Sequence, residues 1–183
     1  MRAAAASSAA SPRTVEIPFP ASFAAELLDE MPPASDTIAK YYFPSASPLG
    51  GRDGLLVRIA PSRGAAWLGI FEFGETISKG LTRVVTCPRK NMLCVVARGR
   101  GYMVDASRPF AWEPIRSSPI LDLRIIPDQR LLIFADYSRL TAYGSNGLAW
   151  ITRDVSSDGL TIARLTARSI EGRAWDAVHQ RDV

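Results

Sequence analysis

Histidine, cysteine and long apolar runs are scarce in this sequence. The 183 residues include one histidine and two cysteines, and no apolar run reaches the roughly 18 residues of a transmembrane helix. Histidine is the side chain best suited to proton transfer at neutral pH, so a single His179 near the chain end argues against a Ser-His-Asp relay or a histidine-rich metal site. Cys87 and Cys94 are too few for a zinc site, and no Walker A or GxGxxG motif is present. We therefore expect no metal, no cofactor and no membrane partner.

The composition is that of an ordinary globular protein. Hydrophobic residues make up 47% and charged residues 22% of the chain. A domain of this size builds a core without covalent crosslinks, so both cysteines are expected to be free and buried. The formal charge is +4, and 19 of the 22 basic residues are arginines scattered along the chain. This basicity permits contact with nucleic acid but does not require it.

The N-terminal segment "MRAAAASSAASPR" contains no acidic residue and is rich in alanine, serine and arginine. We interpret residues 1–15 as a disordered tail and residues 16–183 as a single domain. A cytoplasmic location is the default expectation. Organelle targeting by residues 1–13 stays open, because transit peptides have the same composition.

One helix is predicted, over residues 22–31. Ser22 can cap its N-terminus, Phe23, Leu27 and Met31 recur at helical spacing, and two prolines follow. Residues 32–54 carry several prolines and glycines and are predicted to form a long irregular loop.

From residue 55 to residue 175 the pattern is that of strands. About a dozen short runs of β-branched, aromatic and aliphatic residues are separated by glycine, proline, asparagine, aspartate or serine. The gaps are too short for parallel crossovers, so neighbouring strands should be antiparallel. The predicted fold class is all-β.

Two similar stretches occur within this region. "LCVVARGRGYMVDASRPFAW" begins at Leu93, and "LLIFADYSRLTAYGSNGLAW" begins at Leu131. The shift that brings Leu93 onto Leu131 also brings Trp112 onto Trp150 without a gap. Each copy can hold four strands, and we expect the two tryptophans to have the same core role.

The strand, turn, strand and Gly-x-x-Trp order of "LLIFADYSRLTAYGSNGLAW" resembles the core of β-propeller blades of the pyrroloquinoline-quinone or WD type, over residues 93–166. The Gly-His and Trp-Asp signatures of WD blades are not in register. The resemblance implies blade-like sheets, and at most three units fit between residues 55 and 175. Three architectures therefore stay open: an open propeller-like array, a sandwich or a barrel-like body.

The segment "RGRG" is the best candidate for anion binding. Arg98 and Arg100 beside Tyr102 can grip phosphates and stack a base. The alternative is a tight hairpin in which Gly99 or Gly101 has a positive φ and the arginines face water.

Carboxylates form the second candidate site. Asp136 (followed by Tyr137), Asp154 and Asp158 lie near turns of the second copy, and a pair of these carboxyls could hold a metal ion or act as acid and base. The alternative is that they stabilise turns through backbone N–H groups.

These features predict a non-catalytic binding or interaction module that presents residues 98–101 and 136–138 to a partner. The last strand, ending in "RAW", leaves an edge that invites pairing with another chain, so we expect self-association or a larger assembly. A carboxylate-based hydrolase and a nucleic-acid-binding protein are the alternatives.

Overall fold

A computed structural model of the protein describes residues 14–45, 53–74, 80–157, 159–166, 169–176 and 181–182. These residues form strands and no helix, which confirms the all-β prediction. Nothing in the described part of the chain is a helix able to cross a membrane. Residues 1–13 and Asp158 lie outside the described residues.

The strands belong to four sheets. In chain order they are β1 (Phe23–Leu28), β2 (Ala39–Phe43), β3 (Gly54–Pro61), β4 (Trp67–Glu72), β5 (Arg83–Thr86), β6 (Met92–Ala97), β7 (Arg100–Asp105), β8 (Arg108–Pro114), β9 (Asp122–Ile126), β10 (Leu131–Ala135), β11 (Leu140–Gly144), β12 (Gly147–Ile151), β13 (Leu160–Leu165), β14 (Ile170–Asp176) and β15 (Arg181–Asp182). Sheet I has the order β1-β3-β4-β2, sheet II β5-β6-β7-β8, sheet III β12-β11-β10-β9 and sheet IV β13-β14-β15.

The prediction of a helix over residues 22–31 is wrong, because residues Phe23–Leu28 form strand β1. Phe23, Ala25 and Leu27 alternate along β1 and pack into the core. The predicted irregular loop over residues 32–54 also contains strand β2, which pairs in parallel with β4.

Sheets II and III are built alike. In each, four consecutive strands pair antiparallel with their sequence neighbours. The first strands of the two sheets, β5 and β9, begin at Arg83 and Asp122, and the second strands, β6 and β10, begin at Met92 and Leu131. The number of residues between the two starts is the same in both cases. Sheet IV starts in the same way, because β13 begins at Leu160, almost the same interval beyond the start of β9.

The four sheets are stacked in chain order and enclose three apolar layers. Layer I/II contains Phe43 and Phe71 from sheet I and Val95 from sheet II. Layer II/III contains Val96 from sheet II and Phe134 from sheet III. Layer III/IV joins residues of sheets III and IV, including Ile133 and Ile162. Alternate residues of β6 and β10 thus face opposite layers, as the strand period of two requires.

The same type of contact joins sheet II to sheet III and sheet III to sheet IV. The N–H of Ile120, before β9, donates to the carbonyl of Gly99 in the middle turn of sheet II, at 2.7 Å. One repeat later, Gly159 donates to the carbonyl of Tyr137 in the middle turn of sheet III, at 3.0 Å. In both cases a residue shortly before or at the start of a sheet bonds to the middle turn of the preceding sheet. The same arrangement therefore relates sheet II to sheet III and sheet III to sheet IV.

Arginine side chains repeat this directional contact. Arg83 of sheet II donates to the carbonyl of Leu123 in sheet III, at 2.6 Å. Arg124 of sheet III donates to the carbonyl of Ile162 in sheet IV, at 2.8 Å. The two acceptors, Leu123 and Ile162, are separated along the chain by the same number of residues as the first residues of β5 and β9.

The two tryptophans of the predicted repeat lie in different layers. Trp112 belongs to sheet II and packs into layer I/II, against sheet I. Trp150 belongs to sheet III and packs into layer III/IV, against sheet IV. The shift that aligns the two stretches therefore pairs the right strands but places their side chains on opposite faces. The expectation of one shared core position for both residues is wrong, although both are half-buried.

The centre of the outer face of sheet I is covered. β1 and β2 lie at opposite edges of the sheet, so the connection over residues 29–38 must cross one face, and layer I/II occupies the other. Leu68 and Ile70 point away from layer I/II but are only 0% and 1% exposed. Within the described part of the chain, the stack is therefore closed over the centre of sheet I and open at sheet IV.

Candidate functional site

The segment "RGRG" forms the tight hairpin turn between β6 and β7. Ala97 pairs with Arg100, and the two residues between them, Arg98 and Gly99, have φ angles of 46° and 82°. Positive φ at both central residues is the geometry of a type I′ turn, which matches the twist of antiparallel strands. The hairpin alternative is therefore correct for the backbone of this segment.

The side chains around this turn have intramolecular partners. The Arg98 guanidinium carbon lies 4.2 Å from the centroid of the Phe73 ring, and Arg100 forms an ion pair with Glu72. Tyr102 is buried in layer I/II, where its hydroxyl donates to the carbonyl of Glu72 at 2.8 Å. A nucleic-acid base could stack on Tyr102 only if that ring left the core. Arg98, by contrast, is exposed at the surface.

Asp136 organises the equivalent turn of sheet III. Its Oδ1 accepts hydrogen bonds from the N–H groups of Ser138 and Arg139, at 2.9 and 2.7 Å, and its Oδ2 accepts one from the Ser117 hydroxyl. An aspartate that bonds to the backbone two and three residues ahead stabilises the turn. Tyr137 is half-buried at the tip, and its carbonyl accepts the bond from Gly159.

The two candidate turns lie on the same edge of the stack. Consecutive N–H groups of the β8–β9 connection join them, since Ile120 donates to Gly99 and Leu121 donates to Ala135. Beside the second turn, Tyr137 and Arg124 help to line a cavity of about 460 Å³ between sheets III and IV. The structure thus gathers both predicted segments on one edge, with Arg98 and Tyr137 partly accessible there.

Asp154 does not share a pocket with Asp136 that would suit acid–base chemistry. Arg139 lies between them: its N–H donates to Asp136, and its guanidinium forms an ion pair with Asp154. The hydrogen bond from Arg139 holds the pKa of Asp154 below its usual range. A general acid needs the opposite shift, so this geometry gives the hydrolase alternative no support.

Several arginines carry little free positive charge. Five of them form ion pairs with carboxylates. They are Arg83 with Glu16, Arg100 with Glu72, Arg108 with Asp105, Arg124 with Asp122 and Arg139 with Asp154. Phosphate binding relies on unneutralised cations, so these pairs weaken the case for a nucleic-acid interface.

The open end of the stack is a surface that the sequence did not reveal. Leu160 and Ile162 of β13 face layer III/IV, so the residues that alternate with them face outward. The bonded register places Thr161 opposite Arg173 on this outer face. The register shifts between Ile162 and Arg164, so that Leu165 packs into layer III/IV and Arg164 faces outward, opposite Glu171. Trp175, two positions beyond Arg173, is 36% exposed.

Neither Arg164 nor Arg173 has a hydrogen-bond or ion-pair partner among the described residues. Arg83 and Arg124 lie on the first strands of sheets II and III, as Arg164 lies on the first strand of sheet IV, and both reach into the following sheet. The outward-facing arginines of sheet IV therefore occupy the side from which a further sheet would be contacted.

Comparison of the chain with protein-family models, with curated proteins and with solved structures gives no significant match in any of the three. The contacts described above are therefore the basis for a functional assignment.

Proposed function

We propose that this protein is a non-catalytic interaction module, an open propeller-like stack of sheets that self-associates through the outer face of sheet IV. The observation that carries the proposal is the outer face of sheet IV, where Trp175 is 36% exposed and Arg164 and Arg173 are also exposed. The corresponding faces of sheets II and III are each covered by the next sheet. Sheet IV offers such a face with no further sheet on it among the described residues.

A second copy of this chain is the proposed occupant, docked face to face by a two-fold axis. The centre of the outer face of sheet I, around Leu68 and Ile70, is covered, so a head-to-tail contact from sheet IV to sheet I of another copy has no open apolar acceptor there. Arg164 and Glu171 lie directly opposite each other in the register. A two-fold interface is built from one self-complementary patch, and here it can place Arg164 of each copy against Glu171 of the other.

The proposal is tested by the molar mass in solution. Size-exclusion chromatography with light scattering at tens of micromolar should give twice the chain mass of 19.9 kDa, and dilution should dissociate the dimer. Reversal of charge in Arg173→Glu, and removal of the exposed ring in Trp175→Ala, should each raise the dimer Kd by about tenfold or more.

Arg58→Glu is the matched control, since Arg58 is an exposed strand arginine on the outer face of sheet I, opposite Leu68. It should leave the dimer Kd unchanged. A monomer at all concentrations overturns the proposal, as does a dimer that resists both sheet IV variants. A shift in elution on adding oligonucleotide at low salt, reversed at high salt, would instead favour the nucleic-acid alternative.

A further inference from the structure

Three sulfur-containing side chains line one small cavity between sheets II and III. Cys87, Met92 and Met103 line this cavity of about 50 Å³, and Tyr143 lines it from sheet III. Sγ of Cys87 and Sδ of Met103 are 3.6 Å apart. Sheet II supplies all three sulfurs, because Cys87 directly follows β5, Met92 begins β6 and Met103 lies within β7.

We propose that this cavity binds one monovalent soft metal ion, of the class of Cu(I) and Ag(I), through the Cys87 thiolate and the Met92 and Met103 thioethers. Thiolate and thioether ligands select soft ions over hard ones. Two sulfurs that each lie about 2.3 Å from a shared metal, as in zinc thiolates, are separated by roughly 4 Å in a planar three-sulfur arrangement. The 3.6 Å separation of the Cys87 and Met103 sulfurs is close to that value.

The charge balance favours a monovalent ion. On binding, the S–H bond of Cys87 breaks, the sulfur–metal bond forms and the proton passes to water, with no change of oxidation state. One thiolate and one monovalent cation make a neutral unit, whereas a divalent ion would leave a net positive charge in a mostly apolar layer. Burial of an uncompensated charge is costly.

The cavity has room for the ion and a route to solvent. A water molecule needs roughly 10–15 Å³ of such space, so about 50 Å³ is enough for a bare ion. Exposed Arg89 and Glu113 also line the cavity, so its wall reaches the protein surface. Cys94 is buried in the same layer but does not line the cavity.

The test is a titration of the purified full chain with Ag(I), which needs no reductant, followed by native mass spectrometry. One silver ion per chain is expected for the wild type and for Cys94→Ala, and none for Cys87→Ala. Met103→Leu and Met92→Leu should retain the thiol but weaken the affinity by about tenfold or more against a competing chelator, since even outer contacts of metal sites are worth 10–100-fold.

Thermal unfolding of the metal-free variants shows whether each one folds. Met103→Leu keeps the volume of the side chain and so decides the question if Cys87→Ala fails to fold. The proposal is overturned if the wild type binds no silver, if Cys94→Ala loses binding as fully as Cys87→Ala, or if both methionine variants bind as tightly as the wild type.

Discussion

The indole Nε1 of Trp67 in sheet I donates a hydrogen bond of 2.7 Å to the carbonyl of Ala106 in the β7–β8 turn of sheet II. Both residues are buried, at 3% and 1% exposure. Replacement by Trp67→Phe leaves the Ala106 carbonyl without this donor, and an unsatisfied buried acceptor costs about 1–3 kcal/mol. We therefore expect the free energy of unfolding, measured with urea, to fall by at least that amount.

Trp112→Phe is the control for this prediction, because it removes the same atoms from the same layer. Within the described residues the Trp112 indole nitrogen donates no hydrogen bond, and its ring contacts with Phe43 and Tyr102 can be kept by phenylalanine. Equal destabilisation by the two variants would show that lost packing, and not the Trp67 hydrogen bond, dominates.

The predicted helix failed for a reason of geometry. Phe23 and Leu27 are four positions apart, and residues at that spacing share a face on a helix and also on a strand. The intervening Ala25 made the strand alternation hard to see, since alanine fits either pattern. The two prolines after Met31 end a strand as readily as a helix.

The repeat was predictable at the level of strands but not of faces. The middle turn has two residues in sheet II, between Ala97 and Arg100, and four in sheet III, between Ala135 and Leu140. The registers of β8 and β12 also shift by different amounts at their bulges. An alignment of the two sequences does not show these differences in structure. A shift of one residue in the register of a strand moves every side chain to the opposite face of the sheet.

The candidate sites depended on contacts between distant parts of the chain. The turn role of "RGRG" followed from its glycines, but the partners Phe73 and Glu72 of its arginines lie in another part of the fold. The sulfur cavity and the outer face of sheet IV depend on strand register, which could not be read from the sequence. The prediction of two buried free cysteines is confirmed, because it needed only chain size and cysteine number.

The Thr86 side chain is one of several contacts that hold residues 16–22 to sheet II. The Thr86 hydroxyl donates to the carbonyl of Phe19 at 2.8 Å and accepts from its N–H at 3.1 Å, in a buried setting. Thr86→Val keeps the shape but removes both bonds, so we expect a loss of about 1–3 kcal/mol in unfolding free energy and faster amide exchange at Phe19. Thr82→Val, at an exposed bond to the Arg98 N–H, should cost less, and an equal cost would contradict this explanation.

Asp136 should be a structural residue. Asp136→Ala removes the acceptor for three hydrogen bonds in the turn, and we expect a loss of about 1–3 kcal/mol in unfolding free energy, since two of the donors are backbone N–H groups. Asp154→Ala removes exposed contacts, chiefly the ion pair with Arg139, and should change stability little. Urea unfolding of both variants distinguishes the two roles, and an Asp154 effect as large as that of Asp136 would refute this assignment.

Alkaline pH should destabilise the protein through its buried thiols. Full burial raises the pKa of Cys94 well above its ordinary range, so the folded state keeps a proton that the unfolded state releases. The contribution is therefore complete below the unfolded pKa of about 8.5 and is lost as the pH rises above it. Each such thiol adds a slope of about 1.4 kcal/mol per pH unit there.

The measurement is urea unfolding under reducing conditions at several pH values from 7 to 10. Cys94→Ala lowers stability at pH 7, because it leaves a small hole in layer II/III, but its stability should fall less steeply than the wild type above about pH 8.5. Cys87, whose pKa burial also raises, supplies the remaining slope in that variant. Parallel curves for the two proteins would mean that Cys94 ionises as readily in the folded chain as in the unfolded one.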